Sequence, residues 1–189
     1  MQSCNGLNVP LDSGSKLTSN PEKTGNSTSL DQSDITKYQS IVGKFMYAMI
    51  ATRPDLAFAV STLGRFNSAP EKLHLEAVKK TLRYLRWTLD IGLTYSPTYN
   101  DKLIGYNASN DNLIGFCDSD WAGDPDTRRS TTGYVVMLSN GAISWKSQRQ
   151  QTVALSSTKP EYMAITEASK EAIWLRRLYS KICSQTGVS

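Results

Sequence analysis

The stretch Leu113-Ile114-Gly115-Phe116-Cys117-Asp118-Ser119-Asp120 places an apolar, strand-like run directly before two aspartates. Two similar runs follow at residues 134–138 and 142–145, and Asn140-Gly141 between them is a strong hairpin signal. Residues 157–182 then have the apolar spacing of a helix. The order of strand, hairpin and helix predicts an antiparallel sheet covered by one helix.

Upstream, residues 35–90 have the periodicity of three helices. Asp34 is placed to cap the first helix, Pro54 suits the first turn of the second, and Ser68 with Glu71 suits the start of the third. Two short strand-like runs, residues 93–95 and 103–106, separate the helices from the sheet. Residues 1–34 are polar and contain no aromatic residue, so we expect them to form a disordered tail.

The third helix is amphipathic. Its apolar stripe has one-face spacing and consists of Leu75, Val78, Leu82 and Leu85. Its basic face consists of Lys79, Lys80, Arg83 and Arg86. Such a face is typical of a helix side that is exposed to solvent. Alternatively, it binds phosphates or lipid headgroups. We expect His74 to be a solvated residue of this helix.

Composition excludes several classes of protein. The 189 residues carry a net charge of +4, which permits contact with nucleic acid without arguing strongly for it. Three scattered cysteines exclude a disulfide framework and a cysteine zinc cluster. No apolar run approaches the roughly 18 residues of a membrane span, and the first thirty residues lack the apolar core of a signal peptide. The sequence therefore predicts an intracellular location.

The carboxylates define the candidate site. Asp118 ends the first strand, Asp120 follows it, and Glu161 lies in the first turn of the last helix. The apolar stripe of that helix is expected to be Ile165, Ala168, Ala172 and Leu175, and Glu161 would share its inward face. Carboxylates at a strand end and on a covering helix can converge on Mg²⁺, because that ion prefers oxygen ligands.

Longer strings resemble copia-type retrotransposon Pol polyproteins over about residues 30–182, in the same order along the chain. Upstream, these are Tyr38-Gln39-Ser40-Ile41-Val42-Gly43-Lys44-Phe45-Met46-Tyr47, Thr52-Arg53-Pro54-Asp55-Leu56-Ala57-Phe58-Ala59-Val60 and Leu82-Arg83-Tyr84-Leu85. Downstream, they are Asp118-Ser119-Asp120-Trp121-Ala122-Gly123-Asp124, Arg129-Ser130-Thr131-Thr132-Gly133-Tyr134, Ile143-Ser144-Trp145-Lys146-Ser147, Ala154-Leu155-Ser156-Ser157-Thr158, Glu161-Tyr162-Met163-Ala164 and Glu171-Ala172-Ile173-Trp174-Leu175.

The resemblance implies an α+β chain with three parts: a polar tail (1–34), a helical thumb-like block (35–98) and a truncated RNase H-like domain (99–189). The last part would be a three-stranded antiparallel sheet with one covering helix. It also implies that Asp118 and Glu161 match the catalytic and metal-binding acids that hydrolyse the RNA strand of an RNA–DNA hybrid. Asp120 is a possible further ligand.

The family's remaining acids lie beyond this helix. We therefore expect an incomplete, vestigial site: no enzymatic turnover, no cofactor, and an Mg²⁺ site that is not competent. The family's next strand would also be missing, which predicts an unpaired edge on the first strand. RNA–DNA hybrid or another nucleic acid, bound weakly, is the partner that the ancestry suggests, which leaves a nucleic-acid-binding remnant as one alternative function.

A second alternative comes from Arg83-Tyr84-Leu85-Arg86, which resembles the Arg-x-Leu-Arg motif of secreted effectors from oomycete plant pathogens. That resemblance implies a secreted virulence protein that enters host cells through this motif. It would act in the host cytoplasm or nucleus on an unknown host protein, and would suppress defence or cell death. The effector family's signal peptide and acidic Glu-Glu-Arg segment are not seen. Related Pol sequences carry a near-identical string in this helix.

Overall fold

The computed structural model describes residues 5–12, 14–15, 17–19, 30–96 and 113–186, and has an α+β layout. A helical block comes first, a three-stranded antiparallel sheet follows, and a long helix packs on the sheet. The predicted strand-like run at residues 103–106 lies outside the described residues. The helices are α1 (Gln32–Ala51), α2 (Ala57–Gly64), α3 (Lys72–Trp87) and α4 (Thr158–Thr186), and a short 3-10 helix, Pro54–Leu56, precedes α2. The strands are β1 (Ile114–Ser119), β2 (Thr131–Leu138) and β3 (Gly141–Arg149).

Helix α1 begins slightly earlier than the sequence predicts. Its N-cap is Asp31, whose Oδ1 accepts a hydrogen bond of 2.8 Å from the backbone N–H of Asp34. Asp31, which lies just before the helix, therefore caps the unpaired N–H groups of the first turn. Asp34, the predicted cap, lies inside that turn. The buried side of α1 carries Tyr38, whose hydroxyl donates to the carbonyl of Leu63 at 2.8 Å and ties α1 to α2.

Arg53 connects the start of the 3-10 helix to the end of α3. Its guanidinium forms a bidentate pair with Asp55, with N–O distances of 3.0 and 2.8 Å. It also donates to the carbonyl of Thr88 at 3.0 Å and to its hydroxyl at 2.7 Å. Tyr84 completes the network, because its hydroxyl donates to Asp55 at 2.7 Å and its ring lies 5.6 Å from the guanidinium carbon. Two separated sequence motifs therefore meet in one buried network.

The buried face of α3 is rotated from the predicted leucine stripe. The side chains that face the core are His74, Ala77, Val78, Thr81 and Tyr84. Leu75, Leu82 and Leu85 are only partly buried against that core. The prediction failed because it counted apolar residues alone, whereas hydrogen bonds allow His74, Thr81 and Tyr84 to be buried. The helix is capped by Glu71, not by Ser68.

The expectation that His74 is solvated is wrong. The side chain is fully buried and its ring stacks on Phe66 with centroids 3.9 Å apart. Its Nδ1 accepts a 2.9 Å hydrogen bond from the backbone N–H of Glu71, so the ring proton lies on Nε2. That nitrogen donates to the carbonyl of Thr18 at 3.2 Å. The neutral ring therefore satisfies one acceptor and one donor inside the core.

Part of the segment predicted as a disordered tail packs on the helical block. Leu11 and Leu17 are buried in the core and Leu7 packs against it. The polar composition of residues 1–34 concealed this contribution, because three spaced leucines are enough to bury a short extended segment.

The sheet has the order β1-β2-β3, and β1 is paired only with β2 among the described residues. This agrees with the predicted unpaired edge. The β2–β3 hairpin turns at Ser139 and Asn140, whose φ angles of 49° and 65° are those of a type I′ turn. Residues 93–95 form no strand. Instead, Tyr95 covers Gly141 at this turn and its hydroxyl donates to the carbonyl of Ala142 at 2.9 Å.

We expect Arg53→Met to lower the free energy of unfolding by about 3 kcal/mol, because it leaves Asp55 partly buried without its cation. Tyr84→Phe, which removes one hydrogen bond from the same network, should cost only about 1 kcal/mol. Urea unfolding followed by circular dichroism measures both. Equal values for the two variants would contradict the central role of Arg53.

His74 should make stability depend on pH between 7 and 5. Burial lowers the pKa of His74 below its ordinary 6.5, although the Thr18 carbonyl and Asp126 act to raise it. The unfolded chain therefore takes up a proton first as the pH falls, and the native state loses stability below about pH 6.5. Because the chain has one histidine, His74→Gln should flatten urea-unfolding stability over this range. A variant with an unchanged pH slope would refute this assignment.

Candidate functional site

A cleft that contains two of the predicted site residues lies between the helical block and the sheet. It has a volume of about 550 Å³. Pro54 and Phe58 form its helical wall, and Phe116, Val135 and Trp145 form its sheet wall. Asp118 and Asp120 line the same cleft, so two of the three predicted carboxylates lie at its border. The cleft is therefore an apolar space with an acidic border.

Strand pairing decides which way Asp118 points. Phe116 lies opposite Val135, and Val135 lies opposite Trp145, whose indole N–H donates to the carbonyl of Met49 in α1 at 3.0 Å. Directly paired residues of antiparallel strands share a face, so this face meets the helical block. Asp118 is two residues after Phe116 and lies on that face as well. Its side chain is exposed.

Helix α4 packs on the opposite face of the sheet. Ser144 donates to Glu171 of α4 at 2.8 Å, and Gln150 donates to the carbonyl of Pro160 at 3.1 Å. Ser144 is the neighbour of Trp145 in β3, so these two side chains point to opposite sides. The structure therefore separates Asp118 from α4 by the thickness of the sheet.

Glu161 does not point inward. The residues of α4 that are buried are Pro160, Ala164 and Leu175, while Glu161 is exposed and Ile165 is 49% exposed. Of the predicted inward stripe, Leu175 is buried and Ala168 and Ala172 are half-buried, so only Ile165 is misplaced. Glu161 lies about 100° around the helix from the buried Pro160. The structure does not bring Glu161 to the cleft that contains Asp118.

Asp120 organises the connection between β1 and β2. Its carboxylate accepts a hydrogen bond from the backbone N–H of Thr131 at the start of β2. Gly123 leaves room for this carboxylate, because a Cβ atom there would clash with Asp120 Oδ2 in its present position. These contacts give Asp120 a local structural role in the loop.

The magnesium ligands that the sequence suggests are three carboxylates: Asp118, Asp120 and Glu161. Mg²⁺ requires near-octahedral oxygen ligands, usually with one or two carboxylates held close together. In the described part of the chain, no group of three histidine, cysteine, aspartate or glutamate side chains is placed to hold a metal ion. Asp118 lies on the face of the sheet opposite α4, and Glu161 lies in the first turn of α4 with its side chain exposed.

Asp124 is the buried acid that sequence reasoning missed. Its carboxylate is 3.2 Å from Arg65 of the helical block and also pairs with Arg149 of β3, while Thr127 donates to it at 2.7 Å. Burial acts to raise the pKa of Asp124, but these donors lower it to about 2. Its partners Arg65 and Arg149 lie far from it in the sequence, so no local pattern marks Asp124 as a buried acid.

The basic face of α3 is only partly free. Lys79, Lys80 and Arg86 are exposed, whereas Arg83 is half-buried. Both Nε and Nη2 of Arg83 donate to the backbone carbonyl of Asn5, at 3.0 and 2.8 Å. Three of the four predicted cations are therefore presented to solvent.

The Arg83-Tyr84-Leu85-Arg86 string lies inside the regular part of α3. Tyr84 is buried in the Arg53 network and Leu85 packs against the helical core. Only Arg86 of this string is exposed. In the folded chain, the motif is a helix segment whose central residues serve packing. Separately, none of the described helices is long and apolar enough to cross a membrane.

Comparison with curated proteins gives two kinds of relative. The chain is 49% identical over 138 residues to the Secreted RxLR effector protein 161 of Plasmopara viticola, covering 73% of this chain and 90% of that protein. It is 47% identical over 145 residues to the Retrovirus-related Pol polyprotein from transposon TNT 1-94 of Nicotiana tabacum, covering 77% of this chain and 10% of the polyprotein.

A second polyprotein, the Retrovirus-related Pol polyprotein from transposon RE1 of Arabidopsis thaliana, is 38% identical over 149 residues, which cover 79% of this chain and 9% of the polyprotein. The chain thus spans about a tenth of the Pol polyproteins that it matches. No family model matches the chain. No solved structure matches it either.

Proposed function

Since the chain belongs to the family of copia-type retrotransposon Pol-derived proteins, we propose that it is a catalytically incomplete Pol derivative. It has the ancestry of an RNase H but hydrolyses no RNA–DNA hybrid by itself. The observation that supports this most is that Asp118 points to the sheet face opposite α4, while the Glu161 side chain on α4 is exposed.

The chemistry explains why this placement matters. Two-metal hydrolysis uses ions about 4 Å apart, which clamp the attacking and leaving oxygens and which need several shared carboxylates. Asp118 and Asp120 border the cleft, but Asp120 is hydrogen-bonded to the backbone of Thr131 and Glu161 does not line the cleft. We therefore propose that the chain forms no competent Mg²⁺ site. The remaining carboxylates cannot position a phosphate and its attacking water.

Contact with nucleic acid is compatible with this proposal. Lys79, Lys80 and Arg86 form an exposed basic group on α3, where phosphates can be neutralised without any catalytic geometry. With only a few cations involved, such binding is weak and strongly dependent on salt. We propose RNA–DNA hybrid or another nucleic acid as a weak partner of this surface.

An end-labelled RNA–DNA hybrid tests both parts. We expect that, in the presence of Mg²⁺, the chain cleaves the hybrid no faster than buffer alone does. We also expect weak binding of the hybrid, with an affinity that depends less on salt concentration in the Lys79→Gln/Lys80→Gln variant than in the native chain. The double variant should lower the slope of log affinity against log salt by about 2, because each phosphate contact contributes about 1. Gel shift and filter binding measure the affinity.

The matched control is Lys159→Gln/Lys170→Gln, which removes two exposed lysines from α4 and should leave the salt slope unchanged. Mg²⁺-dependent cleavage that Asp118→Asn abolishes would overturn the assignment as catalytically incomplete. Equal effects of the two lysine pairs would overturn the binding surface on α3.

One observation favours a second candidate, a secreted effector. The chain covers 90% of the Secreted RxLR effector protein 161 at 49% identity, so the similarity includes nearly all of that protein. This candidate requires export and a host protein as partner, with a site of action in the host cytoplasm or nucleus. It is compatible with the first candidate, because a chain without turnover can still act by binding.

The effector candidate predicts that the chain is found in host tissue during infection. An epitope-tagged chain expressed in the producing cell should be recovered from host cytoplasm or nucleus, as measured by cell fractionation and immunoblot. If Arg83-Tyr84-Leu85-Arg86 acts in entry, Arg83→Gln/Arg86→Gln should reduce the recovered amount, whereas the exposed control Lys72→Gln should not. Recovery of the tagged chain from the producing cell alone would contradict the proposal that it is a secreted effector.

A further inference from the structure

The N-terminal segment forms a strap along α3. The strap consists of the described residues 5–12, 14–15 and 17–19. Side chains of α3 hold it through its backbone carbonyls: Arg83 donates to Asn5 at 2.8 Å, Thr81 to Pro10 at 3.0 Å and His74 to Thr18 at 3.2 Å. These contacts recognise an extended backbone, because carbonyl oxygens are present in every peptide.

Apolar contacts supplement these hydrogen bonds. Leu11 and Leu17 of the strap are 7% and 6% exposed, and Leu7 packs against the same core. At the other end, a Cβ atom on Gly6 would lie 2.3 Å from the Trp87 ring, so the strap backbone lies directly on that indole. The groove therefore has a sequence preference as well as a backbone requirement.

The strap ends on the loop that joins β1 and β2. The backbone N–H and the hydroxyl of Ser19 donate to Asp126 at 2.7 and 2.8 Å, and the Thr18 hydroxyl donates to the same carboxylate. The groove thus extends from Trp87, along α3, to Asp126. An occupant needs leucines at three spaced positions followed by two hydroxyl residues.

The walls of the groove are held by contacts that do not involve the strap. Arg53 fixes the end of α3 through Thr88 and Tyr84. Asp124 fixes the β1–β2 loop through Arg65 and Arg149. Because both walls have their own anchors, the groove can persist when the strap leaves it.

We propose that this groove is a docking site for an extended leucine-containing peptide, and that the chain's own strap occupies it as an intramolecular ligand. A peptide of the same chemistry, supplied in trans, displaces the strap. The strap competes from an effective concentration in the millimolar range, because it is tethered to the same chain. A trans ligand therefore binds weakly until the strap is loosened.

The experiment uses a labelled synthetic peptide of residues 5–19 and the full chain carrying Leu11→Ser/Leu17→Ser. These substitutions weaken the strap and leave every groove residue in place. Fluorescence anisotropy should show binding at least about tenfold tighter to this variant than to the native chain, since the tethered competitor has been weakened. A peptide with the same two leucines replaced by serine should not bind.

Groove residues provide the matched controls. Thr81→Val/Arg83→Gln, added to the strap-weakened chain, should reduce peptide binding, whereas Lys72→Gln at the start of α3 should not. Equal peptide affinity for the native and strap-weakened chains, with both folded by circular dichroism, would overturn the proposal.

If the strap-weakened chain does not fold, hydrogen exchange of the native chain tests whether the strap leaves the groove. Amides of the strap should then exchange at least about tenfold faster than buried amides of α1, because the strap opens without global unfolding. Strap amides that exchange only by global unfolding would show that the segment is a fixed part of the core, and the proposal would fail.

Discussion

The carboxylate of Asp124 joins the two halves of the described structure. It pairs with Arg65 from the helical block and with Arg149 from β3, and it is almost fully buried between them. Such a buried acid needs both cations, because an unpaired charge in this position would lose its hydration without compensation. The orientation of the sheet against the helices, and therefore the cleft that contains Asp118, depends on this junction. Asp126, two residues later, extends the same junction to the strap.

The sequence predicts well the elements for which the spacing of apolar residues and the turn-forming residues indicate the same structure. Strand β2, strand β3 and the hairpin between them are of this kind, although the turn residues are Ser139 and Asn140. The errors occur where polar groups are buried. His74 and Thr81 belong to the core because the strap and the helix supply their hydrogen bonds, and no count of apolar residues can reveal that. Long-range partners decide such positions, and they are not visible in local spacing.

The candidate site shows the same limit. Sequence order places Asp118 at a strand end and Glu161 in a first helical turn, and both placements hold in the structure. Whether the two carboxylates meet depends on which face of the sheet α4 covers and on which side of α4 carries Glu161. A shift of one position moves a helical side chain by about 100° and reverses a strand side chain. Whether Asp118 and Glu161 can share a metal ion therefore depends on how α4 packs on the sheet, which the sequence does not show.

The Arg83-Tyr84-Leu85-Arg86 string can be explained by folding alone. Tyr84 is required by the Arg53 network, since its hydroxyl donates to Asp55 and its ring lies against the guanidinium. Leu85 packs against the helical core, and Arg83 holds the strap through the carbonyl of Asn5. Three of the four residues therefore have structural roles in α3, whether or not the chain is exported. The string by itself adds little to the effector interpretation, whose support comes instead from similarity along nearly the whole of a secreted relative.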